Sequence, residues 1–189
     1  MNKAIDITNV VIKTQRLILR PFRLSDLDDF YEYAKVEGVG EMAGWIHHEN
    51  KDVSKGVLDH FIEGKHTFAL EYNLKVIGSL GIEFYNEQLF PEFDNYLGRE
   101  IGFVLSKDYW GNGLMREACE AVIKYLFHIE NLDFILCAHF DDNMRSMKLQ
   151  QRLGFKEIKR TKYVTKYGVV KPDVINIMYN PEKNNMNED

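Results

Sequence analysis

The chain has 189 residues, enough for one domain or two small ones, and 24 Lys and Arg against 29 Asp and Glu give a formal net charge of −5. That balance excludes a protein built to coat nucleic acid, which would carry a basic surplus. A hydrophobic fraction of 45% with 13% aromatic residues excludes a disordered chain, and 13 Gly with 4 Pro excludes a collagen-like one.

Val10–Phe22, with Leu17, Ile18 and Leu19 between Arg16 and Arg20, reads as a strand ending at Pro21. Ser25 followed by Asp26, Asp28 and Asp29 starts a helix with a hydroxyl cap and acids over its first turn. It runs to Val36, burying Leu27, Phe30, Tyr31 and Ala34, and Gly38 and Gly40 stop it. A second helix fits Val53–Glu63. The period then changes. Thr67–Tyr72 and Lys75–Tyr85 are strands around an Asn73-Leu74 turn, 86–96 is an acidic, aromatic loop, and Leu97–Leu105 is a further strand. Ser106–Gly113 leads into an amphipathic helix, Leu114–His128. Phe134–Phe140 is nearly all apolar, as a strand buried on both faces is. Asn143–Leu153 forms a helix stopped by Gly154, and Lys156–Thr165 and Val169–Tyr179 close the chain as a hairpin around Tyr167-Gly168.

The order β-α-α-β-β-β-α-β-α-β-β describes an α/β protein: a single domain over residues 11–179, with a mixed, mainly antiparallel sheet and helices on both faces. The strand–helix–strand unit at 97–140 implies one parallel pair. The tail 180–189 is expected to be disordered. Met1–Asn9 is polar and lacks an apolar leader core, and the most apolar run, Val76–Ile82, is cut off by Glu83. Cys119 and Cys137 sit in apolar segments and read as buried thiols. A soluble cytoplasmic protein with no membrane or nucleic-acid partner is expected, as a monomer or homodimer.

Gly111-Asn112-Gly113 stands where the Leu114 helix begins. Two glycines two apart let the backbone approach a bulky anion, and the free N–H groups at the positive end of the helix point at it. A phosphate or pyrophosphate suits that pattern; an ordinary Gly-rich turn shares the spacing. A P-loop is excluded because no Gly-Lys-Ser/Thr occurs. A dinucleotide fingerprint lacks its third glycine, whose place is Arg116, and five residues separate Leu105 from Gly111 where that turn follows its strand directly.

Tyr109-Trp110-Gly111-Asn112-Gly113-Leu114-Met115-Arg116-Glu117-Ala118 resembles the coenzyme A pyrophosphate loop of the GCN5-related N-acetyltransferase (GNAT) family, and most of all its branch of ribosomal-protein N-terminal acetyltransferases. Thr14–Arg20 with Ser25-Asp26-Leu27 resembles that branch's first strand and helix. Glu100-Ile101-Gly102-Phe103 resembles its central strand, and Asn143-Met144-Arg145-Ser146 with Leu153-Gly154-Phe155 its second cofactor motif. The resemblance covers about residues 11–179. It implies acetyl transfer from acetyl-CoA to a primary amine, on a protein N-terminus or a small molecule, by direct attack in a ternary complex. The implied cofactor contacts are Phe103, Val104, Leu105, Trp110, Gly111, Asn112, Gly113, Leu114, Met115, Arg116, Asn143 and Ser146. Three places depart from the family pattern. The first and sixth loop positions are Trp110 and Met115, and Gln150 stands where many relatives carry a tyrosine acid, so another proton donor is required. The alternative is a non-catalytic acyl-CoA-binding module that kept the loop and lost the acid–base pair.

A protonated amine has no lone pair, so the reaction needs a base, and the departing thiolate needs a hydrogen bond or proton. Glu100, on the strand ahead of the loop, is the first candidate base and Glu83 the reserve. Ser146 is the candidate thiol-side donor, sharing a helix face with Asn143. Plainer readings exist for each: a surface ion pair for Glu100, a helix cap for Asn143, a solvated serine for Ser146. A free N–H near Phe103–Leu105 would meet the carbonyl oxygen as it gains charge. Trp45 is a candidate wall of the acceptor pocket or a packed loop residue. Lys107 and Arg116 flank the loop as candidate phosphate partners. His47-His48-Glu49 has no further ligand at metal spacing, so no metal is expected.

Overall fold

The first strand is divided by its own turn. The Thr14 hydroxyl accepts from the Leu17 N–H at 2.9 Å, and Thr14 N–H donates to Leu17 O at 2.9 Å. Val10–Phe22 therefore forms β1 (Ile12–Lys13) and β2 (Ile18–Pro21). The computed structural model describes residues 1–183. In it the first helix, α1, covers Leu27–Ala34 and follows a 3-10 turn at Leu24–Asp26. Ser25 does not cap it. Instead Asp26 is buried, accepts from Arg23 N–H at 2.8 Å, and takes a two-pronged ion pair from Arg20 at 2.8 and 2.9 Å. Arg20 Nε reaches Glu71 at 2.7 Å, so a buried cation and two acids join β2, the α1 turn and the strand at Thr67–Tyr72.

The second helix, α2, spans Lys51–Gly64, and the Asn50 side chain caps it by accepting from Val53 N–H. β3 (Thr67–Tyr72) and β4 (Lys75–Glu83) meet at a turn where Asn73 and Leu74 both have positive φ. The 86–96 loop contains two 3-10 turns that bury Phe90 and Phe93 beside Tyr85 and Phe134. Then follow β5 (Gly98–Leu105), α3 (Leu114–His128), β6 (Phe134–Phe140), α4 (Met144–Leu153), β7 (Lys156–Val164) and β8 (Val170–Tyr179).

All eight strands form one sheet in the order β1-β2-β3-β4-β5-β6-β8-β7. Every neighbouring pair is antiparallel except β5–β6, which the α3 crossover connects as a parallel pair. Helices α3 and α4 pack on one face, where Leu80, Ile101, Ala118, Val122 and Ile135 meet. Helices α1 and α2 cover the other, around Phe22, Phe30, Tyr33 and Leu58. Cys119 and Cys137 are buried free thiols in the first of these cores. Ile5 and Ile7, ahead of the expected domain start at 11, also lie in that core. The expected tail needs a correction at its beginning. Asn180 is buried and donates to Leu132 O at 2.8 Å, and Lys183 pairs with Asp133 at 2.8 Å, so 180–183 is tied to the 131–133 turn. Residues 184–189 lie outside the described residues. Among the described residues no helix is long and apolar enough to cross a membrane.

Candidate active site

The site begins where β5 and β6 part. They pair only from Gly98 to Glu100 against Phe134 to Leu136, whereas β5 stays paired with β4 as far as Leu105. Beyond Glu100, the β6-facing edge of β5 opens into a cleft of about 940 Å³. Ile101, Phe103 and Leu105 pack toward α3, so the two-residue period leaves Glu100, Gly102 and Val104 on the opposite face.

At one end of the cleft lies the loop before α3. Gly111 and Gly113 have φ of +81° and +75°, which L side chains rarely adopt. A Cβ at Gly111 would meet nothing within 4 Å, and one at Gly113 only the Arg16 guanidinium at 3.7 Å. Gly113 supplies no capping side chain, which leaves the first N–H groups of α3 without a side-chain partner. The loop is held from outside. Arg16 donates to Asn112 O at 2.9 Å and to Glu117 at 2.7 Å, and Thr14 donates to the same carboxylate at 2.6 Å. The Trp110 indole donates to Leu105 O at 2.8 Å, pinning the loop to the end of β5, and the Arg145 guanidinium lies 4.3 Å from its ring centre. Arg145, Lys148 and Arg152 recur at helical spacing along α4 and line the same end.

The other end is acidic. Glu83 and Glu100 face each other across β4 and β5 in register, and Asp173 stands on β8 opposite Phe140. Glu100 is half-buried. Burial first, then the Asp173 and Glu83 charges, push its pKa up to about 7. Its neighbour Arg99 does not oppose this. That side chain points away, donating to Ile82 O and Lys3 O and stacking 3.8 Å from the Phe84 ring centre. Burial raises Asp173 to about 6, against the pull of His139 and a hydrogen bond from Val174 N–H. Tyr163 and the 3-10 turn Glu41–Ala43 roof this end, with Gly44 O accepting from Lys166 N–H at 2.8 Å. Glu41 anchors the turn. Burial would raise its pKa, but the His47 ring and the His47 and Gly38 N–H groups hold it at about 2.

On α4, Ser146 lines the cleft and its hydroxyl oxygen accepts from Gln150 at 3.0 Å. Asn143 caps the helix by accepting from Ser146 N–H at 3.2 Å, and its amide donates to Met42 O at 3.3 Å. Of the other expected residues, Phe103, Val104, Leu105, Trp110, Gly111, Gly113, Leu114, Met115, Arg116, Glu83 and Glu100 line the same cleft. Asn112 turns its side chain to Tyr109 O. Arg116 is exposed and paired with Glu120 at 2.8 Å, and Lys107 donates to Glu37 O. Trp45 does not form the acceptor wall. It packs over Gly40 and the His48 ring in the α1–α2 core, and Met42 and Ala43 reach the cleft instead. His48 bonds to Ser54 at 2.7 Å. Sequence reasoning missed Asp173, His139 and Tyr163. An acid opening the apolar run Val174–Ile177 was the available signal for the first. The Arg145, Lys148 and Arg152 stripe was readable from its spacing.

A family model for the acetyltransferase (GNAT) domain matches residues 16–156. The chain belongs to the GNAT acetyltransferases. It is 28% identical over 152 residues to the uncharacterized N-acetyltransferase p20 of Bacillus licheniformis, covering 76% of this chain and 81% of that protein. Two solved structures share the fold. A GNAT-family acetyltransferase from Bacillus anthracis superposes with a TM-score of 0.78 at 18% identity, over 92% of this chain and all of that one. The ribosomal-protein-S5-alanine acetyltransferase from Vibrio fischeri gives 0.71 at 21% identity, over 92% and 98%. In this chain the parted strands, the loop ahead of α3 and the acids beyond them line one continuous cleft.

Proposed function

We propose that this GNAT protein is an acetyl-CoA-dependent N-acetyltransferase of the ribosomal-protein N-terminal type, working in the cytoplasm on a primary amine. Acetyl-CoA supplies the acetyl group as a thioester with a thiolate leaving group. The residues present fit it. The positive-φ turn at Gly111 and Gly113, the uncapped N–H groups of α3 and the Arg145–Lys148–Arg152 stripe suit a pyrophosphate with further phosphate nearby. The free edge of β5 beyond Glu100 offers N–H groups to a carbonyl oxygen gaining negative charge.

The observation that carries the reading is Glu100, a carboxylate raised to about 7 at the point where the strands part. A base is most useful when its pKa lies near the working pH, so Glu100 takes the ammonium proton directly or through one water. Ser146 donates to sulfur from the opposite wall. Glu83, Glu100 and Asp173 together favour a cationic acceptor, which both a protein N-terminus and a small amine satisfy. The test is acetyl-CoA-dependent thiol release against a panel of N-terminal peptides and small amines. Turnover with members of one class is expected. Tight acetyl-CoA binding with no thiol release from any amine would support the non-catalytic acyl-CoA-binding module instead.

A further inference from the structure

Gln150 holds a place in α4 four residues after Ser146 and is 1% exposed. Its carboxamide meets three groups. Nε2 lies 3.0 Å from Ala138 O on β6 and 3.0 Å from Ser146 Oγ, and Oε1 lies 2.7 Å from Asn176 Nδ2 on β8. The Ala138 carbonyl can only accept, so the nitrogen, not the oxygen, must face it. That contact settles the amide orientation. Both Nε2 protons are then committed, one to Ala138 O and one to the serine oxygen. Asn176, itself buried, closes the network by donating to the remaining oxygen.

We propose that Gln150, backed by Asn176, is a positioning residue that fixes the Ser146 hydroxyl oxygen and strengthens its proton as a donor toward the cleft. This rests on the reading of Ser146 as the thiol-side donor. A helical serine ordinarily has two uses for its proton: donation to the carbonyl four residues back, or donation outward. With Gln150 donating into the oxygen, the hydroxyl proton cannot turn toward Gln150. It is left with the cleft or the Asp142 carbonyl, and only the cleft holds a partner that gains negative charge during reaction. The donated bond also polarises the O–H, strengthening it as a donor when sulfur becomes a thiolate. Gln150 touches no reacting atom. It has no proton of its own to give at neutral pH, and it works through the serine.

The test is a double-mutant cycle on the full chain with Ser146→Ala and Gln150→Met, the second keeping length and removing the amide. Ser146→Ala is expected to lower kcat with little change in acetyl-CoA affinity. Gln150→Met is expected to lower kcat on the order of tenfold, at unchanged KM, and to have almost no further effect when Ser146 is already alanine. A second readout needs no turnover. In the ligand-free protein, the Gln150 side-chain NH₂ signals in NMR, recognised by their loss in Gln150→Met, should be protected from exchange, and one proton should shift on Ser146→Ala. Should Gln150→Met not fold, Asn176→Val carries the same cycle from behind the amide, with a smaller loss. Parent-like kcat in Ser146→Ala would remove the donor reading itself. A Ser146→Ala defect with parent-like Gln150→Met, or equal Gln150→Met losses in both backgrounds, would overturn the positioning role while leaving the donor reading intact.

Discussion

Glu100 links chemistry to stability through a single proton. Its folded pKa of about 7 lies above the ordinary value of 4.5, so between those values the folded protein binds more protons than the unfolded chain. Stability from this group is therefore full below pH 4.5 and is lost as pH rises through 7. Glu100→Gln removes the titration. We expect its melting temperature to exceed the parent's above pH 7, by a margin worth roughly 2–3 kcal/mol, and to match it more closely near pH 5. Thermal melts across that range check this, and a lower melting temperature at pH 8 would contradict the burial of an unpaired charge. Asp173 raises Glu100 as a like charge. Asp173→Asn should thus shift the Glu100 inflection to lower pH, read from the rate profile. The place of Glu100 in the cleft was legible because it stands at a fixed step from Gly102 on a strand. Asp173 was not, because a carboxylate acquires its environment from strands that meet only after β6, β8 and β5 are assembled. Trp45 misled for the opposite reason. A large aromatic after a glycine can face a pocket or a core, and Gly40, which leaves room for the indole, decided for the core.

The loop ahead of α3 is the element on which the proposed acetyl-CoA binding rests, and its signal was local. Spacing alone placed two glycines ahead of a helix, and both adopt positive φ there. Gly113→Val puts a β-branched residue at φ +75°, with its Cβ toward the Arg16 guanidinium, a strain of about 1–3 kcal/mol before any loss of contact. Acetyl-CoA affinity measured by calorimetry is expected to fall by about tenfold or more. Parent-like affinity would remove the loop from the cofactor site. Other element boundaries shifted for reasons that spacing does not encode. Asp26 was read as a first-turn acid, yet it is buried because Arg20, six residues earlier, reaches it across the β2–α1 turn. Thr14 ended β1 early by bonding to Leu17.

At the scale of the molecule, the mainly antiparallel sheet and its one parallel pair followed from counting helices between strands, whereas the placing of β8 between β6 and β7 did not. The point where that pair separates did not, since it depends on how long β5 and β6 stay in register. This separation opens the cleft, which on the function proposed above joins a phosphate-binding end at the loop before α3 to an acidic end with Glu83, Glu100 and Asp173, and which Ser146 lines from α4. The measurement that tests the account most directly is the pH dependence of kcat/KM for the parent and Glu100→Gln with an amine that turns over. The parent rate should rise through an apparent pKa near 7 before any limit set by the amine. Glu100→Gln should be slower by about 10²–10⁴ at neutral pH, lose that inflection, and recover part of the deficit at high pH, where the amine is already neutral. A Glu100→Gln protein with the parent's rate and profile would contradict the account.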